Sequence, residues 1–159
     1  MNEFDTFDAE HGNAAVGSDF DFTRFQVHLR RSLRVDGNFI NARLRFGIST
    51  GALPIQRQFV LGGPGSLRGY GLDEFAGNHT ALFNLEYRPR LFGTSFTLFF
   101  IDIGNTWDPL AAFDTADLKV NLGVGLVVGD GEEGLRVNLA QALEPGRRPQ
   151  FNLRWSRMF

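Results

Sequence analysis

From Arg24 to Val35 the chain changes chemistry at every residue. The odd positions read Phe25, Val27, Leu29, Arg31, Leu33 and Val35, and the even ones Arg24, Gln26, His28, Arg30, Ser32 and Arg34. A period of two sends the two sets to opposite faces of an extended strand, whereas helical spacing would mix them. Asp36-Gly37 follows, a pair suited to a two-residue hairpin turn. Ile40, Ala42, Leu44, Phe46 and Ile48 then oppose Asn41, Arg43, Arg45 and Gly47.

The alternation returns after residue 78. Ala81, Phe83, Leu85, Tyr87 and Leu91 oppose Asn84, Glu86, Arg88 and Arg90, and residues 95–106 are apolar on both faces until Asp102 and Gly104. Residues 117–128 set Leu118, Val120, Leu122, Val124, Leu126 and Val128 against Asp117, Lys119, Asn121, Gly123 and Gly125. Leu135, Val137 and Leu139 face away from Arg136 and Asn138, and the last strand sets Phe151, Leu153, Trp155 and Phe159 against Asn152, Arg154 and Ser156. The expectation is an all-β, antiparallel chain of seven strands, with an eighth as a partial strand in the acidic polar segment 1–20. Residues 21–159 form the strand domain, interrupted by a long Gly- and Pro-rich loop at 49–78. A connection of that length in a compact domain is functional or disordered.

Such faces suit two architectures. A soluble sandwich or small barrel buries the apolar set and wets the polar one. A membrane barrel turns the apolar set to lipid and lines a hydrated lumen with the polar set. Long Arg side chains at mid-strand, among Asn, Gln, Gly and carboxylates, favour the second. Fifteen of the sixteen basic residues are Arg, with Lys119 the exception; Arg keeps its charge when poorly hydrated and pairs bidentately with carboxylates. Aromatics at strand ends (Phe25, Phe39, Tyr87, Trp107, Phe151, Phe159) suit interfacial girdles. A mean hydropathy near zero and the lack of any apolar run of about 18 residues exclude spanning helices but not spanning strands.

Residues 1–20 lack the basic start and apolar centre of a signal peptide, so a secreted barrel with this beginning is expected to be a mature form or a fragment. The net charge of -2 gives no field for nucleic acid. With no cysteine there are no disulfides or thiolate metal sites, and no metal or cofactor is expected. His11, His28 and His79 show no Ser/His/Asp spacing, and an acidic N-terminus is what a solvated end looks like. No catalytic residues are expected.

Within the loop, Phe59-Val60-Leu61-Gly62-Gly63-Pro64-Gly65-Ser66-Leu67-Arg68-Gly69-Tyr70-Gly71 sets one arginine among glycines and an aromatic. Glycines allow sharp turns and close backbone approach, so the arginine can enter a confined site where carboxylates hold it. A surface loop with an incidental Arg is the simpler alternative. No GxxxxGK[ST] phosphate loop is present.

This segment resembles the sixth-loop signature of the BamA/TamA-like outer-membrane assembly and two-partner-secretion superfamily, the bacterial surface antigen proteins, with Arg68, Gly69 and Tyr70 as its core triplet. Asn84-Leu85-Glu86-Tyr87-Arg88, Phe99-Phe100-Ile101-Asp102-Ile103-Gly104, Gly123 with Gly125-Leu126, and a terminal Phe159 follow in the family's order. The resemblance implies a transmembrane antiparallel β-barrel whose long loop folds into the lumen, with Arg68 contacting Glu86 and Asp102. It also implies that Trp155 and Phe159 belong to the C-terminal signal by which assembly machinery recognises barrel substrates.

The resemblance implies a barrel of typically sixteen strands, so this chain is expected to correspond to half of one, or to a short relative closing alone or as a homodimer. The implied activity is insertion or export of proteins at the outer membrane of a Gram-negative bacterium or, less directly, of an organelle. The implied partners are outer-membrane lipid and client polypeptides. A small pore or structural barrel without insertase activity, and a barrel anchor for a separate enzymatic domain, are the alternatives.

Overall fold

The computed structural model describes residues 2–12, 22–51, 53–129 and 133–157. The described chain is all-β. Eight strands run in one antiparallel sheet: β1 (Asn2–Gly12), β2 (Phe22–Val35), β3 (Asn38–Thr50), β6 (His79–Arg88), β8 (Ser95–Trp107), β9 (Lys119–Gly129), β10 (Glu133–Ala142) and β11 (Gln150–Arg157), in that spatial order. A short ninth, β7 (Arg90–Phe92), also pairs with β8. Two more, β4 (Phe59–Leu61) and β5 (Phe75–Gly77), form a separate hairpin inside the long loop. No described helix is long and apolar enough to cross a membrane, which says nothing about strands.

Each long strand pairs with the next long strand in sequence. The connection between β2 and β3 is the tight pair Asp36-Gly37, whereas β8 and β9 are joined by residues 108–118 with two short 3-10 turns. The longest described connection is the loop between β3 and β6. Asp36 and Gly37 both have positive φ (51° and 82°), as the tight turn between β2 and β3 requires. At the end of β6, Pro89 has no N–H to donate. The run expected to continue to Leu91 is therefore interrupted there, but Arg90 keeps the register of β6 against β8, and the shift falls one step further on, between Arg90 and Phe92.

The sheet is open. Among the described residues β1 and β11 are its two edges and do not pair with each other, so the closed barrel expected as one outcome is not formed by them. The sheet is nevertheless bent. β6 and β10 are three positions apart, about 14 Å in a flat sheet, yet Arg136 on β10 reaches Glu86 on β6 at 3.2 Å. The face carrying these two residues is the concave one.

Sidedness is the reverse of a soluble sheet. The convex face exposes Leu44, Phe83, Phe99, Val124, Leu139 and Leu153, among others. The concave face buries Asn41, Asn84, Glu86, Arg88, Asp102, Asn121, Arg136, Asn138 and Asn152. Small apolar clusters accompany them: Phe96, Leu98, Phe100, Val127 and Ala140 on the sheet, and Leu61, Leu67, Tyr70, Leu82 and Ala142 beneath the loop. Two of the proposed girdle aromatics lie elsewhere. Phe39 turns inward to meet Phe96 edge-on with ring centroids 5.3 Å apart. Trp107 is buried and covered by Phe113. Phe39 shares the odd parity of Asn41 on β3 and so belongs to the concave face, whereas Trp107 sits at a strand end where the following loop folds over it.

Candidate functional site: the Arg68 loop

The loop between β3 and β6 lies on the concave face, and its tip is a compact structure of its own. Gly62 N–H donates to Ser66 Oγ (2.7 Å), whose hydroxyl donates back to Gly62 O (2.9 Å). Gly63 N–H donates to Tyr70 O (3.1 Å). The β4–β5 hairpin forms the neck, and Arg45 Nη2 donates to Val60 O at 3.0 Å from the sheet below.

This fold delivers Arg68 onto the sheet with its side chain buried. Arg68 Nε and Nη2 donate to Asp102 Oδ2 and Oδ1 at 2.9 and 2.6 Å, a fork against a fork. Its Nη1 donates to Glu86 Oε1 at 2.6 Å. Its backbone N–H adds a further bond to Asp102 Oδ2 at 3.1 Å. The guanidinium carbon lies 3.5 Å from the centroid of the Phe100 ring, within cation–π range. Burial alone would lower the Arg68 pKa, but the bonds to Asp102 and the charges of Asp102 and Glu86 outweigh it and hold it above the usual arginine range. Arg68, Glu86 and Asp102 thus come together in one buried network.

Register explains why these side chains meet. Asp102 on β8 is the cross-strand partner of Asn84 on β6 and of Asn121 on β9. Both amides donate to it, at 2.6 and 2.8 Å. Asn84 also donates to Ser66 O in the loop (2.8 Å) and accepts from Arg43 Nε (2.8 Å). Glu86 is shared with Arg136. Asn152 on β11 donates to the Arg68 carbonyl at 3.1 Å and to Asn138 Oδ1 at 3.2 Å.

The other motif residues have separate duties. A Cβ on Gly69 would lie 2.6 Å from Asn121 Cβ and 2.9 Å from Ala142 N, so a residue without a side chain lets the loop touch the sheet here. Tyr70 is buried and packs edge-on against Phe75, with centroids 5.2 Å apart. Burial, with the nearby Glu144 charge, pushes its hydroxyl up to about 12. Trp155 is 71% exposed on the convex side of β11, paired across from Leu135. Phe159 lies outside the described residues.

Asn84, Asn121, Arg136 and Asn152 complete the network and were not singled out from sequence. Each stood in a polar alternation set, so face was readable. Which polar residues lie beside Asp102 depends on cross-strand register, which alternation leaves free. Among the described residues no group of three or more His, Asp or Glu is placed to hold a metal ion. The arrangement offers no nucleophile beside a base; it offers a rigid ionic joint between loop and wall.

The fold and site define an all-β protein with an apolar outer face and an arginine-bearing loop clamped to the polar concave one. The Omp85 superfamily domain matches residues 5–155, and the chain belongs to this superfamily. It is 30% identical, over 91% of its length, to the outer membrane protein assembly factor BamA of Nitratidesulfovibrio vulgaris (strain Hildenborough). The match covers 20% of that relative, so the chain spans about one fifth of the length of the curated protein it resembles. These relationships locate it at the bacterial outer membrane. Members of the family are assembly factors or transporters rather than enzymes.

Proposed function

We propose that this chain is a membrane-spanning portion of an outer-membrane β-barrel that contributes to the insertion or export of proteins, with the Arg68 loop as the fixed internal wall of its lumen. The observation that carries the reading is the sidedness of the sheet. Leu122, Val124, Leu126 and Val128 along one face of β9 are each about half exposed, while carboxylates and arginines on the opposite face are buried beneath the loop. In water that arrangement exposes apolar area beyond what a soluble monomer tolerates; in a bilayer it places lipid against the apolar stripe and polar groups inside.

The lipid bilayer is the first partner in this reading, and client polypeptides are the second. The edges β1 and β11 are completed by further strands or by a second copy. Trp155 and Phe159 serve as the recognition end of the last strand. A loop seated across the concave face favours a supporting or guiding role over a freely open pore.

Folding into liposomes with heat-modifiable gel mobility tests the membrane part of the reading. A chain that remains a soluble monomer without detergent overturns it. For the assembly role, the parent protein carrying Arg68→Ala is expected to support reduced accumulation of folded outer-membrane barrels. Undiminished accumulation, with loop protection from protease also unchanged, rules out the role given to the loop.

A further inference from the structure

The Arg68 network fastens one limb of the loop. The other limb, from Tyr70 to Phe75, is held elsewhere by groups of a different kind. Arg147, in the turn between β10 and β11, pairs with Glu74 at 2.6 Å through Nη1 and with Glu144 at 3.2 Å through Nε. Its guanidinium carbon lies 5.2 Å from the centroid of the Tyr70 ring. Glu144 also accepts from Lys119 at the start of β9, and the Lys119 ammonium lies 5.7 Å from the Phe75 ring centroid. Glu74 in turn accepts from Gly71 N–H at 2.8 Å, which ties the acid to the backbone of the limb it anchors.

The two fastenings differ in exposure. The Arg68, Glu86 and Asp102 side chains are at most 6% exposed, whereas those of Arg147, Glu74 and Glu144 are 38%, 27% and 33% exposed. Charges shielded from water are little affected by salt, while charges at the surface are screened over about 8–10 Å at physiological ionic strength. An exposed pair contributes only modestly. Here two acids, two cations and two rings converge, so the contributions act on one short segment.

We propose that Arg147 is a second positioning arginine for the loop: a surface clasp that binds Tyr70 and Glu74 to the last hairpin and releases the Tyr70–Phe75 limb while Arg68 stays seated. The last hairpin is thereby part of the loop's holding site. Asn152 on β11 fastens the same hairpin to the Arg68 carbonyl from the buried side. A ligand that competes for the Arg147 guanidinium, or a movement of the β10–β11 turn, frees the outer limb first. The inference rests on loop geometry and is independent of the assembly reading.

The test is residue-resolved hydrogen exchange on the detergent-folded chain between about 0.05 and 1 M NaCl. In the unaltered chain, protection of Tyr70 to Phe75 is expected to fall by about two- to fivefold with salt, while Leu67 to Gly69 holds. Arg147→Gln is expected to remove that salt dependence and leave the limb at the high-salt level. Pairing Arg147→Glu with Glu74→Arg is expected to restore part of the protection. Protection that is independent of salt and unaltered in Arg147→Gln overturns the clasp. Parallel loss at Leu67 to Gly69 also overturns it, because the two limbs would then be one unit.

Discussion

Asp102 accepts five hydrogen bonds, three from Arg68 and one each from Asn84 and Asn121. An ionised carboxylate offers about four lone-pair sites, so this acid is saturated. Arg68→Ala would strip it to its two amides and leave Glu86 with Arg136. Breaking a buried charged network from one side costs about 3–5 kcal/mol, and urea unfolding in micelles is expected to show a loss of that order. Arg68→Lys is expected to recover only a small part, because an ammonium cannot form the fork. Tyr70 gives a different signature. Its hydroxyl ionises in the unfolded chain near the ordinary 10.0 but in the folded loop only at about 12. The folded form therefore favours the neutral phenol. Loop stability is full below pH 10 and declines between 10 and 12. Exchange protection of the loop measured across that range is expected to fall, and Tyr70→Phe is expected to flatten the decline. Glu144 acts at the other end of the scale. The hydrogen bond from Lys119, with the nearby cations, holds its pKa below the usual carboxylate range, so its contribution is present above the unfolded value and disappears as pH falls through the lowered one.

At the scale of elements, β9 shows the division of labour most clearly. Its convex residues face outward, while Asn121 and Val127 on the other side are fully buried. Leu126→Arg would place a charge on the outward stripe, costing about 2–4 kcal/mol near a bilayer midplane. The fraction of heat-modifiable protein recovered from liposomes is expected to drop, whereas Leu126→Phe is expected to insert normally. That alternation was legible from sequence because period two is imposed by the strand itself. So was the all-β class, and the triplet Arg68-Gly69-Tyr70 stood out against its glycines. The break at Pro89 was missed because alternation runs across it, although the absent N–H was there to be read. The inward face of Phe39 was there to be read in its parity with Asn41 and Arg43; its partner Phe96, 57 residues away, was not, because only the pairing of strands brings the rings together. The four additional polar members of the network were obscured in the same way, since face is local information and register is not.

The whole molecule is a bent sheet with two unpaired edges, and free edges seek partners. In micelles the chain is expected to associate through β1 and β11 rather than remain a single species. Light scattering after size exclusion, with cross-linking between cysteines placed at Phe7 and Leu153, checks this; a stable monomer with slow exchange at both edges would show that the edges are satisfied in some other way. The saturated carboxylate ties the loop to the wall in one further way. The row Asn84, Asp102 and Asn121 is fixed by strand pairing alone, but its two amides fill only about half of the acid's lone-pair sites. Arg68 supplies the rest, so the sheet's most buried acid is complete only when the loop is part of the wall.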